Sequence, residues 1–390
     1  MKEFRMNRRI SLLLILVTIL LIASFSCKNN PSQPPEKETD CSFPPGHRNF
    51  SWHADTVAIF PSFMGGVWAF SDSDAYVMGS IFLRDDDGNL QGYFGLHWNG
   101  TKWDKNINGT VFEINHDSRD VTGDDFYMVS VGMLGYNNPR AAIGEFDNKT
   151  KKWKSFLFET AGELYSVWTD KNGYFIAGGS NGMVYIKDGY SASWNYIKAP
   201  TDFSFFDIDG INKNEIYLLG YKNYVTGEGH RQLWKYYNEN WIKLIDTEDT
   251  LSSFINFQGV SYDINDIAAL RCEITDSLYL FLIGNESFRL NSYKHTTNYF
   301  TVNLKEFGLP NFSSAVDIRL FSLNDFFVGG YYFTLYHWNG FDFKKIEPLP
   351  YFSNSNQKGR IVKITKSSSG KIWILIETTS QTFQILQGEI

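Results

Sequence analysis

Cysteine is nearly missing from this chain: Cys27, Cys41 and Cys272 are the three in 390 residues. That excludes a disulfide-built scaffold and leaves at most one internal bridge, Cys41 to Cys272. The seven histidines (His47, His53, His97, His116, His230, His295 and His337) are scattered, with no His-Glu-x-x-His pair and no Cys-His cluster, so no metal is expected. No Gly-x-x-x-x-Gly-Lys-Ser/Thr loop and no helix-opening Gly-x-Gly-x-x-Gly is written anywhere, and the Gly-x-Ser-x-Gly match at Gly178–Gly182 falls inside a strand-rich repeat phrase rather than at a strand-to-helix elbow. Phosphate-loop, dinucleotide and nucleophile-elbow chemistry are therefore not expected, and neither is a cofactor. Basic residues (36) are outnumbered by acidic ones (43), a balance that argues against a nucleic-acid partner and against docking on anionic lipid.

Long hydrophobic runs are also scarce, and the one present is terminal. Ile10 to Phe25 (ISLLLILVTILLIASF) is 16 uncharged residues behind Lys2, Arg5, Arg8 and Arg9. A bilayer span needs roughly 20 apolar residues, so this run has the length of a signal-peptide core. Ser24-Phe25-Ser26-Cys27 follows. Small residues at the third and first positions before a cysteine resemble a bacterial lipoprotein signal. The resemblance implies cleavage after residue 26 and lipidation of Cys27, with Ser24 standing where Leu is usual. The other reading is ordinary secretory cleavage at the same bond. Removing residues 1–26 takes away four basic groups and one acidic group, moving the formal charge from −7 to −10. Residues 27–48, rich in Pro, Ser and charge, read as a flexible tether. The domain follows at residues 49–390.

What the chain does have is aromatics, at 17%, and 32 glycines, a mixture that suits short strands and tight turns. It also repeats itself. LHWNGTKWDKNI at Leu96–Ile107 returns as YHWNGFDFKKI at Tyr336–Ile346. Asn-Gly between two strand-like runs predicts a hairpin of type I′, whose two central residues both take positive φ. Looser copies run from Phe146 to Trp153, Tyr185 to Trp194 and Trp234 to Trp241. Upstream of the hairpins sits a second phrase, as in LYSVWTDKNGYFIAGG from Leu164 and VDIRLFSLNDFFVGG from Val316. Aligned on its second strand, the phrase places Tyr76, Tyr127, Phe175, Tyr217, Tyr279, Phe327 and Trp373 at spacings of 51, 48, 42, 62, 48 and 46. Units of about 50 residues and four strands each predict an all-β, seven-bladed β-propeller, with six or eight blades as alternatives. The last unit, from Gly359, supplies three strands. NFSWHADTV at Asn49–Val57 reads as its fourth, with Trp52 in the expected place, so the N-terminal strand is expected to close the last blade.

The stretch VWTDKNGYFIAGGSNGMVYIKDG resembles the repeat of two-component-regulator-type propellers. The pattern across Trp52 to Phe343 resembles repeat-containing propeller lipoproteins of bacterial surfaces, some of which carry a glucosyltransferase label. The resemblance implies a scaffold and a location rather than a reaction. A nucleotide-sugar site would need alternating helices and strands, which this chain does not write.

Function on such a scaffold concentrates on long loops. Three lie between second and third strands, at 80–92, 131–140 and 221–232, and should share one face. They offer Arg84, Asp85, Asp87, Tyr136, Asn137, Arg140, Tyr221, Tyr224, His230 and Arg231 as ligand-binding residues. RDDDGNL at 84–90 has alternating acids but Leu90 where a calcium loop needs Gly, so it reads as a solvated acidic loop. Most aromatics are expected between blades. The expectation is a lipid-anchored, non-catalytic binding module at the cell envelope, on the outer membrane, for a protein or glycan partner. The membrane is met through the lipid alone, and no catalytic residue is assigned. The alternatives are a polysaccharide-active enzyme, a sensory propeller acting through a partner, and a structural part of an envelope assembly.

Overall fold

The computed structural model describes residues 46–47, 49–105, 117–135, 137–222, 230–246, 264–272, 277–284, 289–293, 299–303, 315–346, 359–378 and 382–389. The signal segment, Cys27, Cys41 and nearly all of the tether lie outside them, as do Tyr136 and Tyr224. Among the described residues the regular elements are strands, apart from a 3₁₀ turn at Ser180–Gly182.

The first four strands are β1 (Ser51–Ser71), β2 (Asp74–Arg84), β3 (Leu90–Trp98) and β4 (Trp103–Asp104). Four-stranded antiparallel sheets then succeed one another along the chain. They are β5 (Asp117–Gly123), β6 (Tyr127–Leu134), β7 (Arg140–Asp147) and β8 (Lys152–Ala161); β9 (Leu164–Thr169), β10 (Tyr174–Gly179), β11 (Met183–Asp188) and β12 (Asn195–Lys198); β13 (Ser204–Asn212), β14 (Glu215–Lys222), β15 (His230–Tyr237) and β16 (Asn240–Asp246). The next are β17 (Ile264–Cys272), β18 (Ser277–Gly284), β19 (Arg289–Tyr293) and β20 (Tyr299–Asn303), then β21 (Ala315–Ser322), β22 (Asp325–Gly330), β23 (Leu335–Trp338) and β24 (Phe343–Ile346). Three strands finish the chain: β25 (Arg360–Lys366), β26 (Ile372–Glu377) and β27 (Phe383–Glu389).

The long β1 belongs to two neighbours. Its first part, Ser51–Ala58, pairs with β27, and its second part, from Ile59, pairs with β2. Trp52 lies opposite Gly388, where an added Cβ would come 2.6 Å from the indole. Glycine is what lets that ring settle on the strand. Tyr127, Phe175, Tyr217, Tyr279 and Phe327 each lie on the second strand of a four-stranded sheet, while Tyr76 lies on β2 and Trp373 on β26 of one seven-stranded sheet ordered β25-β26-β27-β1-β2-β3-β4.

Successive sheets touch through their first strands, in the order β1, β5, β9, β13, β17, β21 and β25, and β25 also contacts β1 within the seven-stranded sheet. Buried apolar side chains fill the gaps. Trp68, Tyr76 and Phe146 lie between the first two sheets, and Phe205, Ile216 and Trp234 between β9–β12 and β13–β16. Burying one such side chain contributes about 1.5–3 kcal/mol.

The Asn-Gly hairpins differ from the expected turn. Gly100 (φ 91°) and Gly340 (φ 88°) take the left-handed conformation, but Asn99 and Asn339 do not. Asn99 Oδ1 instead accepts from the Thr101 and Lys102 N–H groups, and Asn339 Oδ1 from those of Phe341 and Asp342. The side chain itself closes the turn. Paired positive φ values occur at Asn238 and Glu239, in one of the looser copies. The shared histidines are structural. His97 Nε2 meets Asp74 at 2.8 Å and His337 Nε2 meets Asp325 at 2.8 Å, while their rings stack on Tyr76 and Phe327.

Candidate functional site: the inner wall and its mouth

The first strand of each group carries a register shift. The residue just past the shift is Gly66, Asp120, Ser166, Asp207, Asp266, Asp317 or Lys363. Such bulges re-aim a side chain out of the regular pleat. Four of the seven are aspartates, and each reaches the first strand of another sheet. Asp120 Oδ2 accepts from the Val167 N–H at 3.0 Å and Asp207 Oδ2 from the Ile267 N–H at 2.6 Å. Asp266 Oδ2 accepts from the Ile318 N–H at 2.6 Å and Asp317 Oδ2 from the Ile364 N–H at 2.9 Å. Asp209 adds a fifth bond, to the Ala269 N–H at 2.8 Å. These are charge-assisted clasps between neighbouring sheets.

Lys363 pairs with Asp120 at 2.9 Å. Burial alone would lower the Lys363 pKa, but the charges of Asp120, Asp317, Asp207 and Asp266 overcome it and raise the value. Burial pushes Asp317 and Asp209 up to about 6. It also raises Asp266, reinforced by the charge of Asp207 and by a hydrogen bond between the two carboxyls.

Two cavities run along this wall. The inner one, of about 200 Å³, includes Asp207, Asp209, Asp266, Asp317 and Lys363. The outer one, of about 370 Å³, is lined at its rim by Asp125, Phe126, Phe321, Lys366 and Ser368. Trp68, Lys171 and Arg319 belong to both. The rim residues sit in or beside turns between first and second strands, and Phe126 is exposed there.

Hairpins between second and third strands lie at the opposite ends of these antiparallel strands. Of the ligand-binding residues chosen from sequence, the eight described ones (Arg84, Asp85, Asp87, Asn137, Arg140, Tyr221, His230 and Arg231) lie in or beside those hairpins, and none of these eight lines either cavity. Several already serve the fold. Asp85 Oδ1 accepts from the Asp87 and Asn89 N–H groups, and Arg84 donates to Gly88 O. Arg140 pairs with Glu159. Arg231 is buried, 3.7 Å over the Tyr221 ring. Asn137 is exposed, while Asp87 is exposed beside Gly88 and His230 opens β15. Much of the expected loop length is strand. β2 and β3 pair out to Arg84 and Leu90, leaving five residues for the turn, because pairing satisfies backbone groups that a loop would expose.

Sequence reasoning missed the inner wall. Its signal was a polar residue before a β-branched one in the first-strand phrases: Asp207-Ile208, Asp266-Ile267, Asp317-Ile318 and Lys363-Ile364. Lys171 and Arg319 stood inside phrases quoted for their repeats alone.

No family model and no curated protein matches the sequence. Solved structures do. YCF48 bound to D1 peptide superposes with a TM-score of 0.58 at 11% identity, over 89% of this chain and 97% of that one. The WD40 β-propeller domain of Doa1 gives 0.52 at 13% identity, over 88% of this chain and 98% of the other. YCF48 from Cyanidioschyzon merolae gives 0.53 at 11%, over 86% and 98%. At such identities the likeness establishes the fold alone: an all-β protein of the β-propeller class, built of four-stranded antiparallel sheets.

Proposed function

We propose that this chain is a protein-interaction propeller of seven blades, closed by its N-terminal strand. In this reading it is held at a cell envelope by lipid on Cys27 and does no chemistry of its own. The observation that carries the interaction role is the contrast between the two ends of the bore. Inside, the aspartates are committed to neighbouring strands and to Lys363. At the rim, Phe126 is exposed and the outer cavity opens among turns fixed by rigid sheets. A rigid platform with an open, mixed-polarity concavity suits recognition. Seven blades follow if β1 is divided between two sheets, and the cycle of first-strand packing supports a closed ring. The YCF48 neighbour bound to a peptide makes a peptide or protein the favoured partner class over a glycan. The hairpin face with Arg84, Asp87, Asn137 and His230 is proposed as a second contact surface.

The test places a photo-crosslinking amino acid at Phe126 or at Leu90 of the full chain in the cells that make it. A discrete protein adduct from position 126 is expected. Adducts from neither position, or shortened polysaccharide in the presence of the purified full chain, would overturn the reading. A Cys27→Ser chain should leave the membrane fraction, and one that stays would overturn the anchor.

A further inference from the structure

The turn between β22 and β23 holds bulky residues where a tight turn favours none. Tyr332 (φ 56°) and Phe333 (φ 54°) are its two central residues, and the Thr334 N–H closes it on the Tyr331 carbonyl at 3.2 Å. Both central positions of such a turn are left-handed, which suits Asn or Gly and strains an aromatic residue. Phe333 has a reason to be there. Its ring is buried and fills the space beside Gly359, where an added Cβ would come 2.0 Å from it. Tyr332 has none within the fold. Its side chain is 59% exposed and makes no hydrogen bond or ring contact with the described residues. Backbone strain of this kind gathers where a side chain is held out for a ligand.

The turn is firmly placed. The Tyr332 N–H donates to the Gly359 carbonyl at 2.6 Å, and Tyr331 forms an antiparallel bridge with Arg360, so the turn is tied to the start of β25. Tyr331, 41% exposed, bonds through its hydroxyl to the Arg360 guanidinium, whose Nε donates to Glu377 Oε2 at 2.7 Å. A guanidinium has more donors than these two contacts use, and Glu377 Oε1 has no partner among the described residues. The described side chains at the foot of the tyrosines are thus Thr334, Arg360 and Glu377, polar and with no net charge. All of them belong to the hairpin face, and none lines either cavity.

Two exposed phenol rings on a fixed backbone, beside a matched donor and acceptor, fit a sugar. The C–H face of a pyranose lies flat on an aromatic ring, and its hydroxyls, each both donor and acceptor, bond to a guanidinium and a carboxylate. A charged ligand meets no unmatched charge here, and a protein contact needs an apolar centre that these neighbours do not supply. We propose that Tyr331, Tyr332, Arg360 and Glu377 form a binding site for a neutral polysaccharide. Tyr332 is the stacking surface, and Arg360 and Glu377 hold hydroxyl groups. The site goes beyond the interaction reading above, lies on the face opposite the rim, and stands or falls separately from it.

The experiment is native electrophoresis of the full chain in detergent, through gels cast with dextran, xylan, a β-1,3-glucan or alginate and through a gel without polysaccharide. Slowed migration is expected in at least one of the three neutral gels. In that gel Tyr332→Phe should bind as the parent does, while Tyr332→Gly and Arg360→Gln should each weaken binding about tenfold. Phe126→Ala, at the rim, should leave it unchanged. Tyr332→Gly relieves the left-handed strain and should melt at or above the parent temperature, so its lost binding is not lost folding. No slowing in any neutral gel, or slowing that persists in folded Tyr332→Gly, would overturn the site. Slowing in alginate alone would show an anionic ligand and overturn the neutral one. A photo-crosslinking residue at 332 that captures protein in cells, with no neutral gel slowing the chain, would make this a protein surface and overturn the sugar. In each of these cases a protein adduct from position 126 leaves the rim reading standing.

Discussion

At the scale of single residues, buried polar groups hold the sheets to one another. Lys187 and Glu145, each 1% exposed, pair at 2.6 Å between adjacent sheets, and Glu145 also accepts from Trp194 Nε1 and Tyr127 OH. Removing one partner leaves the other charge buried and bare. Lys187→Met should therefore cost about 3–5 kcal/mol in denaturant titration. The carboxyls of the bore set a pH dependence with a definite sign. Burial raises the folded-state values of Asp209 and Asp317 to about 6 and raises Asp266 as well. A raised folded pKa adds stability that is complete below the unfolded value and is lost as pH rises through about 6. Asp74 and Asp325 act in the opposite sense. Against the upward pull of burial, their bonds to histidine and lysine lower them, so their contribution is lost in strong acid. The melting temperature should be higher near pH 5 than at pH 8. Asp317→Asn, which keeps an acceptor for the Ile364 N–H, should narrow that difference.

At the scale of elements, the turns explain both what the repeat foretold and where it misled. The hairpin after Trp98 was legible because Asn-Gly is a strong local signal. Its geometry was not, because Asn99 can close a turn with its side chain as well as with positive φ. Asn99→Ala removes the acceptor for two N–H groups and should cost about 1 kcal/mol. Gly100→Ala should cost more, since it strains φ 91° and places a Cβ 2.9 Å from Ser73 Cβ. Both are read from thermal melts of the full chain. The second-strand aromatics were legible because they recur about every 50 residues, and five of them, Tyr76, Phe175, Tyr217, Phe327 and Trp373, are buried. The aspartates past the bulges were not. A bulge is a one-residue shift in pairing, invisible until the partner strand is known, and it converts an expected surface position into an inner one.

At the scale of the molecule, the first and last described strands meet on one sheet. The pairing of Ser51–Ala58 with Phe383–Glu389 covers a strand edge that would otherwise be bare. Gly388→Val drives a side chain into the Trp52 ring and should cost about 1–3 kcal/mol. Limited proteolysis should then cut within residues 49–58, where the parent chain resists. Sheet organisation was readable from periodicity, but the site was sought on the longest loops. Loop length in sequence does not separate strand that continues past the sheet from free loop. The cavity is built instead from short turns and inner-strand side chains gathered from far apart in the chain.

The central claim is that partners engage the rim formed by the turns between first and second strands. Hydrogen–deuterium exchange of the full chain, alone and with its crosslinked partner, tests this most directly. The account predicts slowed exchange at 124–126, 170–173 and 367–371, with the hairpins at 85–89 and 135–139 unchanged. Protection confined to those hairpins, with the rim turns exchanging as in the free chain, would contradict it.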